Sequence, residues 1–488
     1  METAAKTKKV VTPVIETLPA DLLTPLAVYL KLAANEENAF LLESVEGGES
    51  LARYSFIGAG PVMIVNGDDR KTIISENGSA STVDLPLFEF LRKHFAERYL
   101  ENSSEIPSFV GGAIGFMNFS CAEWFEPSLA RKGQASTDAE ASFMIFRSIV
   151  AFDHARQSIQ IVTLIFEELP IDDQDNKYRV IAEANAINRR LRTILESGEI
   201  PLPRPRETTV NRPTSNWSRP DFESAVDEIK ELIGAGEAYQ VVLSQCFSKQ
   251  TNATDVGIYR AIRSLNPSPY MFLLKFGERS IIGASPEMLV RSRGRDLEYR
   301  PIAGTRKRGN TREQDEQLAE EMRADKKEVA EHMMLVDLGR NDLGRVAEYG
   351  SVNVADLISV EKYSHVQHLA SKLTAKLRED LDCFDALAAC FPAGTVSGAP
   401  KVRAIEVIKK LEPTPRGVYA GAVGYFDYSG NMDTCIAIRT LVLEDGKVTI
   451  QAGAGIVADS VPSSEFDETV NKAAALIKAV ETAEGGRV

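Results

Sequence analysis

The sequence predicts an α+β fold built on antiparallel sheets, and three observations predict it. Strand-like runs are interspersed with well-separated helical patterns. Near the C-terminus, strand runs follow one another across tight turns, and such short connections pair neighbours antiparallel. Finally, strand sequences recur in the two halves, so that two related sheets should pack together.

The repeat comes first along the chain. SFIGAGPVMIV (55–65) matches SIIGASPEMLV (280–290) at seven of eleven positions. FLLES (40–44) echoes FLLKF (272–276), and GGAIGFMNFS (111–120) echoes AGAVGYFDYS (420–429). The Pro-rich, polar stretch 201–220 reads as a linker. A helix should follow, with Ser218 and Asp221 at its start, Phe222, Val226, Ile229 and Ile233 on its apolar face, and Gly234 or Gly236 at its end. AYQVVLSQCF (238–247) reads as a strand. Helical patterns span 313–338 and 463–483. Between them come VYAGAVGYF, a turn at Ser429-Gly430-Asn431, DTCIAIRTLVL read as one strand, a turn at Asp445-Gly446, and KVTIQAGAG. The division expected is 1–205, a linker at 206–220, and 221–488. The copies differ where chemistry could sit, because Glu287 in the second is Val62 in the first. An apolar group cannot transfer a proton, so catalysis is assigned to 221–488 and a structural or regulatory role to 1–205.

Composition excludes several classes. A chain of 488 residues with a formal charge of -14 is a poor partner for nucleic acid or an anionic membrane. No apolar run approaches the ~20 residues of a membrane helix, and METAAKTKKVVTP lacks the apolar core of a secretory signal. Cys121, Cys246, Cys383, Cys390 and Cys435 lack metal-type spacing and read as reduced thiols, so a cytoplasmic protein is expected.

The motifs give partial signals. RPIAGTRKRG (300–309) sets Arg300, Arg306, Lys307 and Arg308 around a Gly-Thr turn, a local basic cradle suited to an anion. Gly453 to Ala458 fits GxGxxA, but Asp459 to Pro462 interrupts and no second parallel strand follows, so a dinucleotide site is rejected. FPAGTVSGAPKVRAIEVIKKL (391–411) opens a helix near Pro400 but lacks the GKS or GKT of a phosphate loop. Glu328 and Glu331 are three apart on one helical pattern, and Glu465 and Glu468 on another. Each pair shares a helix face, so the two helices together could hold a hard cation such as Mg²⁺. Met333 to Val336 beside Glu331 argue against a wholly exposed face. His332, His365 and His368 lack the HExxH form and read as core or supporting residues rather than zinc ligands.

Taken in order, SPEMLVR, PIAGT, DKKEVAEHMMLVDLGRNDLGRV, FPAGTVSGAPKVRAIEVI, GAVGYFD, CIAIRT and QAGAGIVADS with FDETVNKA closely resemble the blocks of the chorismate-utilising enzymes. The resemblance is strong over 220–485 and weaker over 40–160, and it is greatest to the large, aminating subunit of the anthranilate-forming branch. It implies large antiparallel β-sheets packed together with helices on the outside. It implies Mg²⁺ held by Glu331 and Glu468, with Glu328 and Glu465 close by. Glu287 is implied as the general acid for the departing C4 hydroxyl, with Gln240 and Thr305 also at the catalytic centre. Substrate contacts are implied at Gly304, Thr305, Tyr419, Arg439, Gly453, Ala454 and Gly455, and Lys401 is a plausible further cation. The branches that add water resemble one another in a lysine base where Gln240 stands, so Gln240 implies ammonia as nucleophile. Aminodeoxychorismate synthases typically carry lysine in place of Ala303, so here ammonia itself must add at C2. Aminodeoxychorismate or aminodeoxyisochorismate synthesis is the near alternative. A non-catalytic ligand sensor is the remote one, disfavoured because Glu287, Glu331 and Glu468 are all present. Asp385 stands where some members have a histidine implicated in catalysis, and Cys246 where many have arginine.

The same resemblance implies a feedback site for tryptophan at Ser44, Pro269, Tyr270 and Met271, on the echoing segments of the two halves. No nucleophile-elbow cysteine of the G-x-C-x-G type occurs, so ammonia is expected from glutamine through a separate amidotransferase subunit in a hetero-oligomer.

Overall fold

The echoing strands meet each other at the centre of two sheets that are antiparallel but for an edge pair, Lys9–Pro19 with Arg98–Leu100. The computed structural model describes residues 9–44, 53–100, 106–129, 139–166, 174–197, 199–201, 211–362 and 366–485. In a thirteen-stranded sheet, Asn38–Glu43 pairs with its echo Tyr270–Phe276, and the equivalent residues Leu41 and Leu273 stand opposite each other. In a twelve-stranded sheet, Gly112–Met117 pairs with Ala422–Asp427, and the equivalent Gly115 and Gly424 are partners. Outward from the first pair the order is mirrored. Tyr54–Ala59, Ser148–Asp153, Ser158–Phe166 and Lys9–Pro19 on one side answer Arg279–Ser285, Thr440–Glu444, Lys447–Ile456 and Gln240–Gln250 on the other. The two halves therefore share both sheets.

The main core lies between the sheets. Phe40 of one meets Phe146 of the other edge-on at 4.8 Å between ring centres, and Phe116, Phe272 and Phe426 are buried in the same cluster. A second core covers the outer face of the larger sheet. There Val28 and Tyr29, Ile258 and Tyr259, and Leu476 and Val480 bring in the helices Pro25–Ala33, Asp255–Leu265 and Pro462–Glu484. Among the described residues no helix is long and apolar enough to cross a membrane.

Local signals place most elements. Ser218 accepts from the backbone N–H of Asp221 at the head of helix Arg219–Gly234, and Gly236 takes φ +81 beyond it. Asp445 and Gly446 both take positive φ, as a two-residue hairpin of this twist requires. Part of the expected linker, 202–210, lies outside the described residues.

Two expected elements are divided. The 313–338 pattern is two helices, Arg312–Ala324 and Lys326–Gly344, because Asp325 leaves helical geometry and its carboxylate caps the N–H groups of Lys327 and Glu328. The stretch read as one strand over 433–443 is Met432–Ile436 in the smaller sheet and Thr440–Glu444 in the larger, with Arg439 at φ +51 between them. Arg279–Ser285 and Met288–Arg293 make a second such crossing, which carries Glu287.

Candidate active site

The two sheet crossings, the ends of strands Gln240–Gln250 and Lys447–Ile456, and the N-terminal portions of helices Lys326–Gly344 and Pro462–Glu484 enclose one cavity of about 980 Å³. Gln240, Glu287, Gly304, Glu328, Glu331, Tyr419, Arg439, Gly453, Gly455, Glu465 and Glu468 all line it. Residues from positions 240 to 468 thus converge on one space.

At two of these places a glycine leaves room for a neighbouring side chain. Gly304 takes φ +59, and a Cβ there would stand 3.0 Å from a carboxylate oxygen of Glu328. A Cβ on Gly455 would stand 2.3 Å from the amide nitrogen of Gln240. His368 lines the cavity and donates Nδ1–H to the Gly304 carbonyl at 2.8 Å. His332 is fully buried and hydrogen-bonds Ser371, and His365 lies outside the described residues.

Glu287 is 6% exposed, and burial pushes its carboxyl up to about 8. The Thr395 hydroxyl is near enough to oppose this slightly, yet has no partner of hydrogen-bond geometry. Among the described residues the Gln240 side-chain carbonyl oxygen is likewise buried without a partner. Two polar atoms are thus left open in a cavity beside a protonated acid, an arrangement suited to a polar ligand.

Burial, then the charges of Glu328 and Glu468, raise the Glu331 carboxyl above its ordinary value. Burial and Glu468 do the same for Glu465, against a hydrogen bond from Ser460. The pairs on separate helices therefore feel each other's charge. Glu331 and Glu468 are accessible to water at the cavity, and Met334 lines it beside Glu331, so that helix face is not wholly exposed. Among the described residues the cavity gathers Glu287, Glu328, Glu331, Asp459, Glu465 and Glu468 against Lys327, Arg439 and Lys472 as lining cations, with Arg306 pairing Glu328 from outside the lining at 3.0 Å. Lys472 bonds Glu468 at 2.7 Å and the Gly453 carbonyl at 3.0 Å. Arg439 has no carboxylate at ion-pair distance among the described residues. Among these residues no three ligating groups converge tightly enough to hold a metal unaided. Mg²⁺ rarely needs that, since it takes one or two carboxylates, water and substrate oxygens.

Several expectations are corrected. Lys401 does not reach the cavity; its ammonium is buried on Asp342 at 3.0 Å. The three arginines of the basic cradle are neutralised internally, with Arg300 on Glu361, Arg306 on Glu328 and Asp325, and Arg308 on Asp315. Arg439, Lys327 and Lys472 are the cations that line the cavity among the described residues. Ala454, out of phase with Gly453 and Gly455 on its strand, packs into the core instead. Thr305 lies on strand Ile302–Lys307, with its side chain outside the described residues. Asp385 completes a capping box and grips Arg92 from the first half, away from the cavity. Sequence reasoning missed Thr395, Lys327 and Lys472 as lining residues. Lys472 could have been found, since it lies four residues after Glu468 on the same helix face.

A second cavity of about 570 Å³ lies between the halves, and Ser44, Pro269, Tyr270 and Met271 all line it. Arg291 and Asp433 face it too, joined at 2.8 Å.

Over residues 37–478 the sequence matches the family described as chorismate binding enzyme. The chain belongs to the chorismate binding enzyme family. Within that family it is 44% identical over 481 residues to anthranilate synthase component 1 of Acetivibrio thermocellus, covering 96% of this chain and 95% of that one. It is 41% identical over 486 residues to the probable anthranilate synthase component 1 of Schizosaccharomyces pombe, covering 99% and 96%. The crystal structure of anthranilate synthase component I from Streptococcus pneumoniae TIGR4 superposes with a TM-score of 0.72 at 34% identity, covering 94% of this chain and 99% of that one. The menaquinone-specific isochorismate synthase of Escherichia coli reaches 0.71 at 21% identity, covering 97% and 95%, a likeness of fold alone.

Proposed function

We propose that the chain is the chorismate-converting subunit of an anthranilate synthase, adding ammonia to C2 of chorismate and releasing pyruvate to leave anthranilate. The observation that carries this reading is the buried Glu287, its carboxyl pushed up to about 8, in one cavity with the four helix carboxylates, Arg439 and the Gln240 amide.

Glu287 donates its proton to the departing C4 hydroxyl, which leaves as water. Ammonia adds at C2 and loses a proton. Gln240 supplies no base strong enough to deprotonate water, so the nucleophile must be one that needs no such base. Ala303 lines the cavity without a nucleophile of its own, which disfavours a covalent intermediate there. Loss of the C2 proton and of pyruvate then makes the ring aromatic. Arg439 pairs with one substrate carboxylate in bidentate fashion. The crowding of carboxylates fits a divalent cation, with Glu331 and Glu468 holding Mg²⁺ and Glu328 and Glu465 flanking it. When bound, the ion offsets the charge of the ring carboxylate and the charge that builds up in the transition state.

The ammonia comes from glutamine on a separate amidotransferase subunit. Tryptophan occupies the second cavity, bridging Ser44 of one half and Pro269-Tyr270-Met271 of the other, and acts by binding one state of the catalytic half more tightly. Tryptophan titration that leaves rate and chorismate affinity unchanged would remove that part.

The test is product analysis. Purified chain with chorismate, Mg²⁺ and ammonium at alkaline pH is expected to yield blue-fluorescent anthranilate and pyruvate in equal amounts, and nothing with glutamine alone. An aminated product that retains the pyruvyl group, or intact chorismate, would overturn the proposal.

A further inference from the structure

The two crossings that bring Glu287 and Arg439 to the cavity are tied together by one hydroxyl. Ser285 is fully buried, and its hydroxyl donates to the Ile436 carbonyl at 2.7 Å. The same oxygen accepts from the Glu287 backbone N–H at 3.3 Å. The Ile436 N–H donates back to the Glu287 carbonyl at 3.1 Å, and the Ala284 N–H to the Arg439 carbonyl at 3.1 Å. One side chain thus clamps the turn that carries the acid to the segment that carries the arginine.

The repeat supplies an independent observation. Aligned with its first copy, 280–290 differs at four positions. Two are swaps between large apolar residues, Ile281 for Phe56 and Leu289 for Ile64. The other two are Ser285 for Gly60 and Glu287 for Val62. The half without the carboxylate also lacks the hydroxyl, while the rest of the crossing is kept.

We propose that Ser285 is a positioning residue for the proton donor: its hydroxyl seats the Pro286-Glu287 turn against Ile436 so that the Glu287 carboxyl points into the cavity instead of swinging toward water. The inference rests on Glu287 being the proton donor. It assigns Ser285 no contact with substrate.

Ser285→Ala, Ser285→Cys and Glu287→Gln are assayed with chorismate, ammonium and Mg²⁺, with rates expressed per unit of free ammonia and folding checked by thermal melts. Ser285→Ala is expected to lower kcat about tenfold or more, part of what a general acid contributes. Its chorismate KM should stay within about twofold. Its basic pH limb should move toward lower pH by about half a unit or more, because a loosened carboxyl is better solvated. Ser285→Cys, which keeps a weak donor, should recover part of the rate. Folded Ser285→Ala with wild-type kcat and an unmoved limb would overturn the inference, as would a loss confined to KM. If Ser285→Ala does not fold, Ser285→Cys is judged by the same criteria. Wild-type activity in Glu287→Gln would instead remove the proton-donor reading itself, which keeps the two failures apart.

Discussion

The side-chain amide of Gln240 lies directly over the backbone of Gly455, so close that a methyl group there would stand 2.3 Å from the amide nitrogen. The two residues sit near the ends of adjacent antiparallel strands, with Val242 as the register partner of Gly455. The clash would fall on the movable end of a side chain rather than on backbone. Gly455→Ala should therefore leave the fold intact but push the Gln240 amide into the substrate space. We expect a melting temperature within a few degrees of wild type and a fall in kcat/KM of about tenfold to a hundredfold, or ~1.4–2.7 kcal/mol. Steady-state kinetics with a parallel thermal melt check both.

The pH dependence follows from Glu287. Burial pushes its carboxyl up from the ordinary 4.5 to about 8, so the group keeps its proton at neutral pH, as the proposed donor role requires. Expressed per unit of free ammonia, kcat should hold steady below that value and fall as pH rises through about 8. Glu287→Gln should lose about 10²–10⁴ in rate and the limb with it. Stability follows the same sign. The unfolded chain releases this proton above its ordinary 4.5, whereas the fold keeps it to about 8. The stabilisation linked to the bound proton is thus complete below 4.5 and declines as pH rises toward 8. Denaturant titrations of wild type and Glu287→Gln at several pH values would show the variant free of that decline.

Lys401 makes a contrasting case. It and Asp342 form an ion pair whose side chains are 11% and 3% exposed, outside the cavity. Lys401→Met would strand a buried carboxylate and should cost about 3–5 kcal/mol of stability. The chorismate KM of the surviving folded protein should be close to wild type. A raised KM at unchanged stability would restore Lys401 to the substrate site.

Much of the fold was legible because the repeat is written in strand sequences. Leu41 faces Leu273 and Gly115 faces Gly424, so each sheet joins its two copies at matching residues. The carboxylate pairs were legible because i and i+3 on a helix share a face. What the sequence did not disclose is long-range partnership. Nothing near RPIAGTRKRG signals that Glu361, Glu328 and Asp325, which lie 61, 22 and 19 residues from their partners, will neutralise Arg300 and Arg306. The break inside DTCIAIRTLVL was hidden as well. No glycine or proline marks it, and Arg439 adopts a left-handed conformation that only the crossing between sheets explains. Lys401 misled for the same reason: a lysine near a helix start looks free until its carboxylate partner, 59 residues away in sequence, is seen.

The central claim is that a divalent cation is shared by carboxylates from two separate helices, and Mn²⁺ titration followed by electron paramagnetic resonance tests it most directly. With chorismate present and ammonia absent, wild type should bind one Mn²⁺ per chain, displaceable by Mg²⁺. Glu331→Gln and Glu468→Gln should each weaken that site by about tenfold or more, since each removes one of the few carboxylates that such an ion takes. Wild-type Mn²⁺ affinity in both variants would contradict the account.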